Sequence, residues 1–527
     1  MWRSGLNSRS TTTAPALKEK KWDALVIGSG HNGLTAAAYL ARGGLSVAVL
    51  ERRHVIGGAA VTEEIIPGFK FSRCSYLQSL LRPSVIRELE LKRHGLKLLK
   101  PTATTFTPCL DGRYLLLGHD DERNYLEISK NFMDLLLSPT SKVLNKWFES
   151  DILKAVLAGD AIVGSMVGPP CNMASIHTPG SGYVLLHHVM GETDGDRNVW
   201  SHVEGGMGSV STAISNAAIE AGASIMTNAE VSQLMIGNSG TIEGVLLADG
   251  TRVCSSIVLS NATPHRTFLG LIPRDALPED FLRAIEKSDY NSGTTKINVA
   301  VDKVPWFHCC GSNNTEAGPQ HTATIHICSE SMDNIGSACQ DARNGLPSKR
   351  PVMEMTIPSS LDKTISPPGK HVVSLFTQYT PYKPSDGSWE NPTYREAYAK
   401  RCFSLIDEYA PGFSSSIIGY DMLTPPDLER EFGLTGGNIF HGATGLDSLF
   451  FMRPAKGWND PTAENSFDFR YVKHHFFMFK TWSGYRTPVR GLYLCGSGTH
   501  PGGGVMAAPG RNAARITLRD FKKHHSW

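Results

Sequence analysis

The sequence predicts an α/β fold of Rossmann-like type, assembled from discontinuous segments, with a second domain of mixed β-sheet and helix between them. Three stretches carry that expectation: Trp22 to Ala60, Trp200 to Pro264, and Gly491 to Ala514. Each runs an apolar strand or a small-residue helix through a cluster of glycines.

In the first stretch, Ala24 to Ile27 is a short apolar run suited to a buried strand. It leads into Gly28-Ser29-Gly30-His31-Asn32-Gly33, a G-x-G-x-x-G turn. Ala36, Ala37, Ala38, Leu40 and Ala41 then give a helix with a small-residue face. A second apolar run, Leu45 to Leu50, ends at Glu51, eighteen residues after Gly33. Each part has a physical task. Gly28 permits the tight turn, Gly30 admits backbone amides to a pyrophosphate, and Gly33 lets helix and strand pack closely. The helix N-terminus supplies partial positive charge, and Glu51 accepts hydrogen bonds from ribose hydroxyls. Strand, turn, helix, second strand and acid together predict dinucleotide binding, where the glycine motif alone would be weak. Arg52 to Ala59 follows directly, and its Gly57-Gly58 pair makes FAD the better fit, with Ile27 and Ala59 flanking the contacts.

Composition sets the outer limits. At 527 residues the chain has room for two or more domains. The 41% apolar and 19% charged fractions are those of a soluble globular enzyme. A formal net charge of +2 gives no electrostatic case for nucleic acid. No run approaches the roughly 18 apolar residues of a spanning helix. Peripheral membrane contact and a protein partner are both compatible with this balance. The ten cysteines lack zinc or C-x-x-C spacing, so no metal site is expected and free thiols are favoured. No C-x4-C follows the first helix, where a flavin disulfide reductase carries its redox pair. Met1 to Leu17 holds Arg3, Arg9, a Ser/Thr cluster and no acid, the composition of a transit peptide for the mitochondrial matrix.

The expected organisation is a leader at 1–21, then a first part of the FAD domain at 22–130. A helical part of the substrate domain at 131–199 precedes the second FAD part at 200–262. The main substrate domain covers 263–484, and the last FAD part 485–527. Glu63 to Arg82 suits a loop and helix, and Asp120 to Ser150 an amphipathic core helix carrying Leu135, Leu136, Leu137 and Trp147. Gly164 to Pro179 suits a loop. Gly182 to Met190 suits an apolar helix whose His187-His188 pair points in two directions, which favours packing over metal ligation. In the second block, Val210, Ala213, Ile214, Ala217 and Ala218 stand at helical spacing before Gly222. Short strands follow, with an Asp249-Gly250 turn and a buried run, Ile257 to Ala262. In the substrate domain, Thr295 to Asp302 alternates as a strand. For Lys296 on it the alternatives are the active site and the surface, with the surface favoured, and the layer facing the flavin is expected to be apolar.

In the third block a buried strand, Leu492 to Cys495, runs into Gly496-Ser497-Gly498-Thr499-His500-Pro501 and Gly504-Val505, then a small-residue helix. This repeats the logic of the N-terminal motif. Two such motifs at opposite ends imply one cofactor held by both.

Together GSGHNG with ERRHVIGGA, the block VEGGMGSVSTAISNAAIEAGASI with DGTRV and VLSNATP, and LYLCGSGTHPGGGV resemble the phytoene-desaturase-like, carotenoid-desaturase branch of the FAD-dependent amine-oxidase superfamily. The resemblance covers nearly the whole chain after Trp22. It implies FAD, with Gly28, Gly30, Gly33, Glu51, Gly57 and Gly58 at the ADP half and the Val231 backbone at the adenine. It also implies Gly496, Gly498, His500 and Gly504 at the flavin ring. The chain departs from the pattern between Asn131 and Lys142, where tens of residues are missing relative to the family. It departs again near Cys171 to Ser175 and at Lys456 to Trp482, which look inserted, and at Pro509 in the last helix. The chemistry implied is hydride removal from an apolar small molecule, with reoxidation by an unidentified electron acceptor. The Gly-Ser-Gly-Thr-His-Pro turn speaks against amine oxidation, and His500 is the candidate catalytic group beside the flavin. The rival reading is a flavin-fold protein that regulates a partner by binding, as Rab GDP-dissociation inhibitors do.

Overall fold

The computed structural model describes residues 20–118, 137–163, 176–189, 191–197, 199–311, 316–443 and 484–525, with Leu17, Arg453 and Pro454. Almost all of the expected leader, the loop at 164–175, half of the Asn131 to Lys142 junction and the segment from Lys456 to Trp482 lie outside the described residues.

The first sheet is parallel throughout. Its order is Ser224–Met226, Val47–Leu50, Ala24–Ile27, Val258–Ser260, Leu492–Leu494, so strands from both ends of the chain and from its middle share one sheet. Ala24, Val26, Val47 and Val49 face one core, with the helices His31–Arg42 and Gly208–Glu220. Leu25, Ile27, Ala48 and Leu50 face the other core, under the antiparallel strands Val231–Ile236, Ile242–Leu247 and Arg252–Cys254. Burial on both faces explains why these strands are apolar runs rather than alternating ones.

The second sheet has seven strands in the order Ile417–Leu423, Thr294–Val301, His371–Gln378, Val352–Thr356, Thr324–Ile327, Thr105–Pro108, Tyr114–Leu117. Its last two strands come from residues expected in the first FAD segment, so 105–117 belongs to the second sheet. One face packs Ile297, Val299, Met353 and Leu375 against Tyr398, Cys402 and Ile406 of the helix Pro392–Asp407. The other face turns toward the first domain.

Other local expectations change. Residues 62–72 form a β-hairpin, Thr62–Ile66 with Phe69–Ser72, and not a loop and helix. The Pro67-Gly68 turn sets the hairpin, and Phe69 and Phe71 anchor it in a small core with Ala300 and Val372. Within 120–150 the described helix is Thr140–Trp147. Leu137 and Trp147 are exposed and not core. Pro509 stands second in the helix Ala508–His525, in the first turn, where a missing N–H costs nothing.

Among the described residues no helix is long and apolar enough to cross a membrane, and no cluster of three or more metal-ligating side chains occurs.

Candidate functional site

The N-terminal turn is built by backbone closeness. A Cβ on Gly33 would lie 2.2 Å from the Gly28 carbonyl oxygen, and one on Gly30 would lie 2.7 Å from Asn261 Nδ2. Gly28 sits at φ +88°, a region that suits only glycine. The helix starts at His31, so the amides of its first turn have no helical acceptor. Glu51, 5% exposed at the end of its strand, reaches back across this turn. Its Oε2 accepts from the Ser29 amide at 2.8 Å and the Ser29 hydroxyl at 2.7 Å, while Oε1 accepts from the Arg53 amide at 2.9 Å. The Gly57 amide donates to the Ser29 carbonyl at 3.0 Å, and a Cβ on Gly58 would stand 3.3 Å from Gly30 Cα. The two glycine turns are thus in contact. Ala229 donates to the Glu51 carbonyl at 2.8 Å, which sets Val231, two residues on, in the core beside Leu50.

The C-terminal motif closes on the same point. A Cβ on Gly496 would lie 2.8 Å from the Asn261 carbonyl oxygen, and one on Gly510 would lie 2.0 Å from the Asn32 carbonyl oxygen. The last helix therefore crosses the first at backbone contact. Asn32 Nδ2 donates to Ser497 Oγ at 3.1 Å. Asn261 joins the N-terminal and C-terminal glycine turns, and its amide also donates to the Ile27 carbonyl at 2.9 Å. The sequence offers it only as one residue of the VLSNATP stretch, with no sign that it joins the two turns.

These residues fit FAD. The Gly28–Gly33 turn carries no side chain at its three glycines, the first-turn amides of the helix are open at its end, and Glu51 is aimed across it. The buried Asn32 Oδ1 and His31 Nε2 have no hydrogen-bond partner. Arg52 is placed differently from the expectation: its guanidinium donates to the carbonyls of Arg430 and Glu431 at 2.7 Å each. It caps the helix Pro425–Phe432.

Beside the cradle lies a cavity of about 190 Å³. His31, Ala59, Ser497, Gly504 and Val505 line its cofactor side, and the seven-stranded sheet forms the opposite wall. Strand register puts Lys296, Phe376, Glu354 and His326 in one row across four neighbouring strands, and all four line the cavity. The wall is therefore not the apolar layer expected.

Lys296 is 1% exposed, not at the surface. Its Nζ donates to Asn298 Oδ1 at 2.7 Å and to Ser374 Oγ, and lies 5.2 Å from the centre of the Tyr76 ring. Burial pushes this amine down to about 7, only partly opposed by Cys74 and Asp421. Burial likewise raises Glu354, whose Oε2 accepts from the Tyr76 hydroxyl. His326 is lowered to about 4 by burial. His188 also lines the cavity, while His187 packs against Phe440 with ring centres 6.0 Å apart. His500 is not among the lining residues: its carbonyl accepts from the Tyr485 hydroxyl at 2.6 Å, and burial lowers its imidazole.

Sequence reasoning passed over Tyr76, Glu354 and His326. The one available signal is Glu354 itself, a lone acid inside the apolar strand Val352–Thr356.

Comparison with known proteins agrees with this geometry. Residues 26–84 match the model of the NAD(P)-binding Rossmann-like domain family. The chain is 45% identical to the rat pyridine nucleotide-disulfide oxidoreductase domain-containing protein 2 over an alignment of 577 residues, covering 95% of this chain and 94% of the rat protein. That alignment is longer than this chain, so the rat protein carries internal residues absent here. A limonene dehydrogenase component of Castellaniella defragrans is 24% identical, with 96% of each chain covered. Among solved structures, putrescine oxidase bound to putrescine superposes with a TM-score of 0.57 at 16% identity, covering 96% of this chain and all of that one. Full-length identity at this level places the chain in the family of pyridine nucleotide-disulfide oxidoreductase domain-containing protein 2, an oxidoreductase family with the fold of the FAD-dependent amine oxidases.

Proposed function

We propose that the protein is an FAD-dependent oxidoreductase of desaturase or oxidase type, acting on a small, largely apolar molecule. The observation that carries this reading is the cavity itself, bounded by the FAD-type glycine motifs on one side and by the Lys296 row on the other. FAD, when bound, supplies the two-electron acceptor. The chain supplies orientation and proton handling. Gly504, at φ +104°, and Ser497 bring backbone close to the cavity. Phe376 and Tyr76, with ring centres 5.9 Å apart, give the substrate apolar surface. Oxidising a single bond to a double bond also releases a proton, and Lys296 Nζ is the group placed to take it. An amine pushed down to about 7 is partly neutral at physiological pH and has a lone pair for that task. The limonene dehydrogenase relative favours a hydrocarbon-like substrate body.

The test is the visible spectrum of the purified protein before and after denaturation. A flavin spectrum that converts to free FAD supports the reading and opens a substrate screen by anaerobic bleaching. A colourless protein that takes up no added FAD defeats it. The mitochondrial matrix is the proposed location, carried by the acid-free Arg/Ser/Thr-rich N-terminus. Matrix recovery of a shortened chain, by fractionation and N-terminal sequencing, is the expected outcome; an unprocessed cytosolic chain would refute it.

A further inference from the structure

The row across the seven-stranded sheet has two chemically different ends. Lys296 Nζ is committed to Asn298 and Ser374, and the Tyr76–Phe376 pair separates it from the other end. At that other end Glu354 and His326 stand directly opposite each other on adjacent antiparallel strands. Glu354 is 9% exposed and His326 is 2% exposed. The Tyr76 hydroxyl satisfies one carboxyl oxygen of Glu354. The His326 ring lines the cavity, while its Nδ1 is buried with no hydrogen-bond partner on the side toward Gly159, which leaves the other ring nitrogen for a ligand. Asp160 adds a second acid to the same wall.

We propose that Glu354, Tyr76 and His326 form a head-group subsite that binds a hydrogen-bond-donating group, hydroxyl or ammonium, on an otherwise apolar substrate. The inference rests on the cavity being the substrate site. A pure hydrocarbon would seal the carboxyl and the imidazole from water without giving either a partner, which is unfavourable for both. An anionic group would face two acids. A donor resolves both problems, because it satisfies Glu354 and His326 together. Burial holds the Glu354 carboxyl above its ordinary range, and a bound donor is what would stabilise its charged form. The subsite also fixes direction, since a head held at Glu354 leaves the apolar body lying along Phe376 toward Lys296 and Gly504.

The experiment is calorimetric titration of the purified protein with limonene, perillyl alcohol and perillylamine, three probes on one carbon skeleton. The alcohol, the amine or both are expected to bind at least tenfold more tightly than the hydrocarbon. Glu354→Leu and His326→Phe should each cut that advantage below threefold while leaving limonene affinity within threefold of the parent. The donor that gains more identifies the head group as hydroxyl or ammonium. Equal or tighter binding of limonene by the parent protein, a comparison that needs no variant, overturns the proposal. So does a donor preference that survives in both variants. Flavin absorbance is recorded on the same samples. A colourless preparation defeats the flavin reading alone, because the head-group preference is measured independently of it.

Discussion

A methyl group at Gly33 would stand 2.2 Å from the Gly28 carbonyl oxygen and 3.2 Å from Asn261 Cβ. Neither neighbour can yield, since one is backbone and the other is fixed at the end of a central strand. Gly33→Ala should therefore lower stability by about 1–3 kcal/mol and strip bound flavin, read by thermal melting and by the ratio of visible to ultraviolet absorbance. Lys296 predicts a different signature. Its folded amine is depressed to about 7 from its ordinary 10.5. Below that range it is charged in both folded and unfolded chains. Between about 7 and 10.5 the unfolded chain holds the extra proton, so folding stability rises with pH through that window. Lys296→Met should remove this slope and gain most near and below neutral pH; melting curves from pH 6 to 10 check it. The two residues also mark what local sequence reveals. Gly33 is legible because its reason lies five residues away in the same turn. Lys296, Glu354 and His326 acquire their meaning only when separate strands align, and no spacing along the chain encodes that row.

At the scale of elements, apolar runs announce four of the five parallel strands because both faces of that sheet are covered; the fifth, Ser224–Met226, is too short and begins with a polar residue. The hairpin at 62–72 escapes that logic: its first strand exposes Glu64 and Ile65, so its pattern is that of a solvated edge. Arg52 shows how one element can borrow from another. It follows the cofactor acid directly, yet its guanidinium ends the helix Pro425–Phe432 by taking the carbonyls of Arg430 and Glu431. Arg52→Ala should cost about 0.5–1 kcal/mol through the lost helix-end interaction and leave flavin content unchanged. Glu51→Gln, in contrast, should weaken FAD retention and also lower the stability of the FAD-free protein by about 1–3 kcal/mol, because its amide nitrogen cannot accept from the Arg53 amide that the carboxylate pairs. Flavin release during dialysis separates the two.

For the molecule as a whole, the cofactor cradle belongs to no single segment. Asn261 ties the middle of the chain to both glycine-rich ends, and a ligand seated there would bind only the assembled fold. Added FAD at about 100 times its dissociation constant should stabilise the apoprotein by about 2.7 kcal/mol, a rise of several degrees in the melting temperature. Failure of the melt to respond would mean that the cradle does not hold FAD in solution.

The edge strand Leu492–Leu494 and the helix Ala508–His525 follow the turn they close on by most of the chain's length. Without them, the sheet has an open edge at Val258–Ser260, and the first helix lacks the partner that meets it at Gly510. A ligand gripped by both glycine turns would therefore act as a clasp, reporting that distant segments have docked. A chain cut before Leu492 is expected to take up no added FAD, although it keeps the whole Gly28–Gly33 turn.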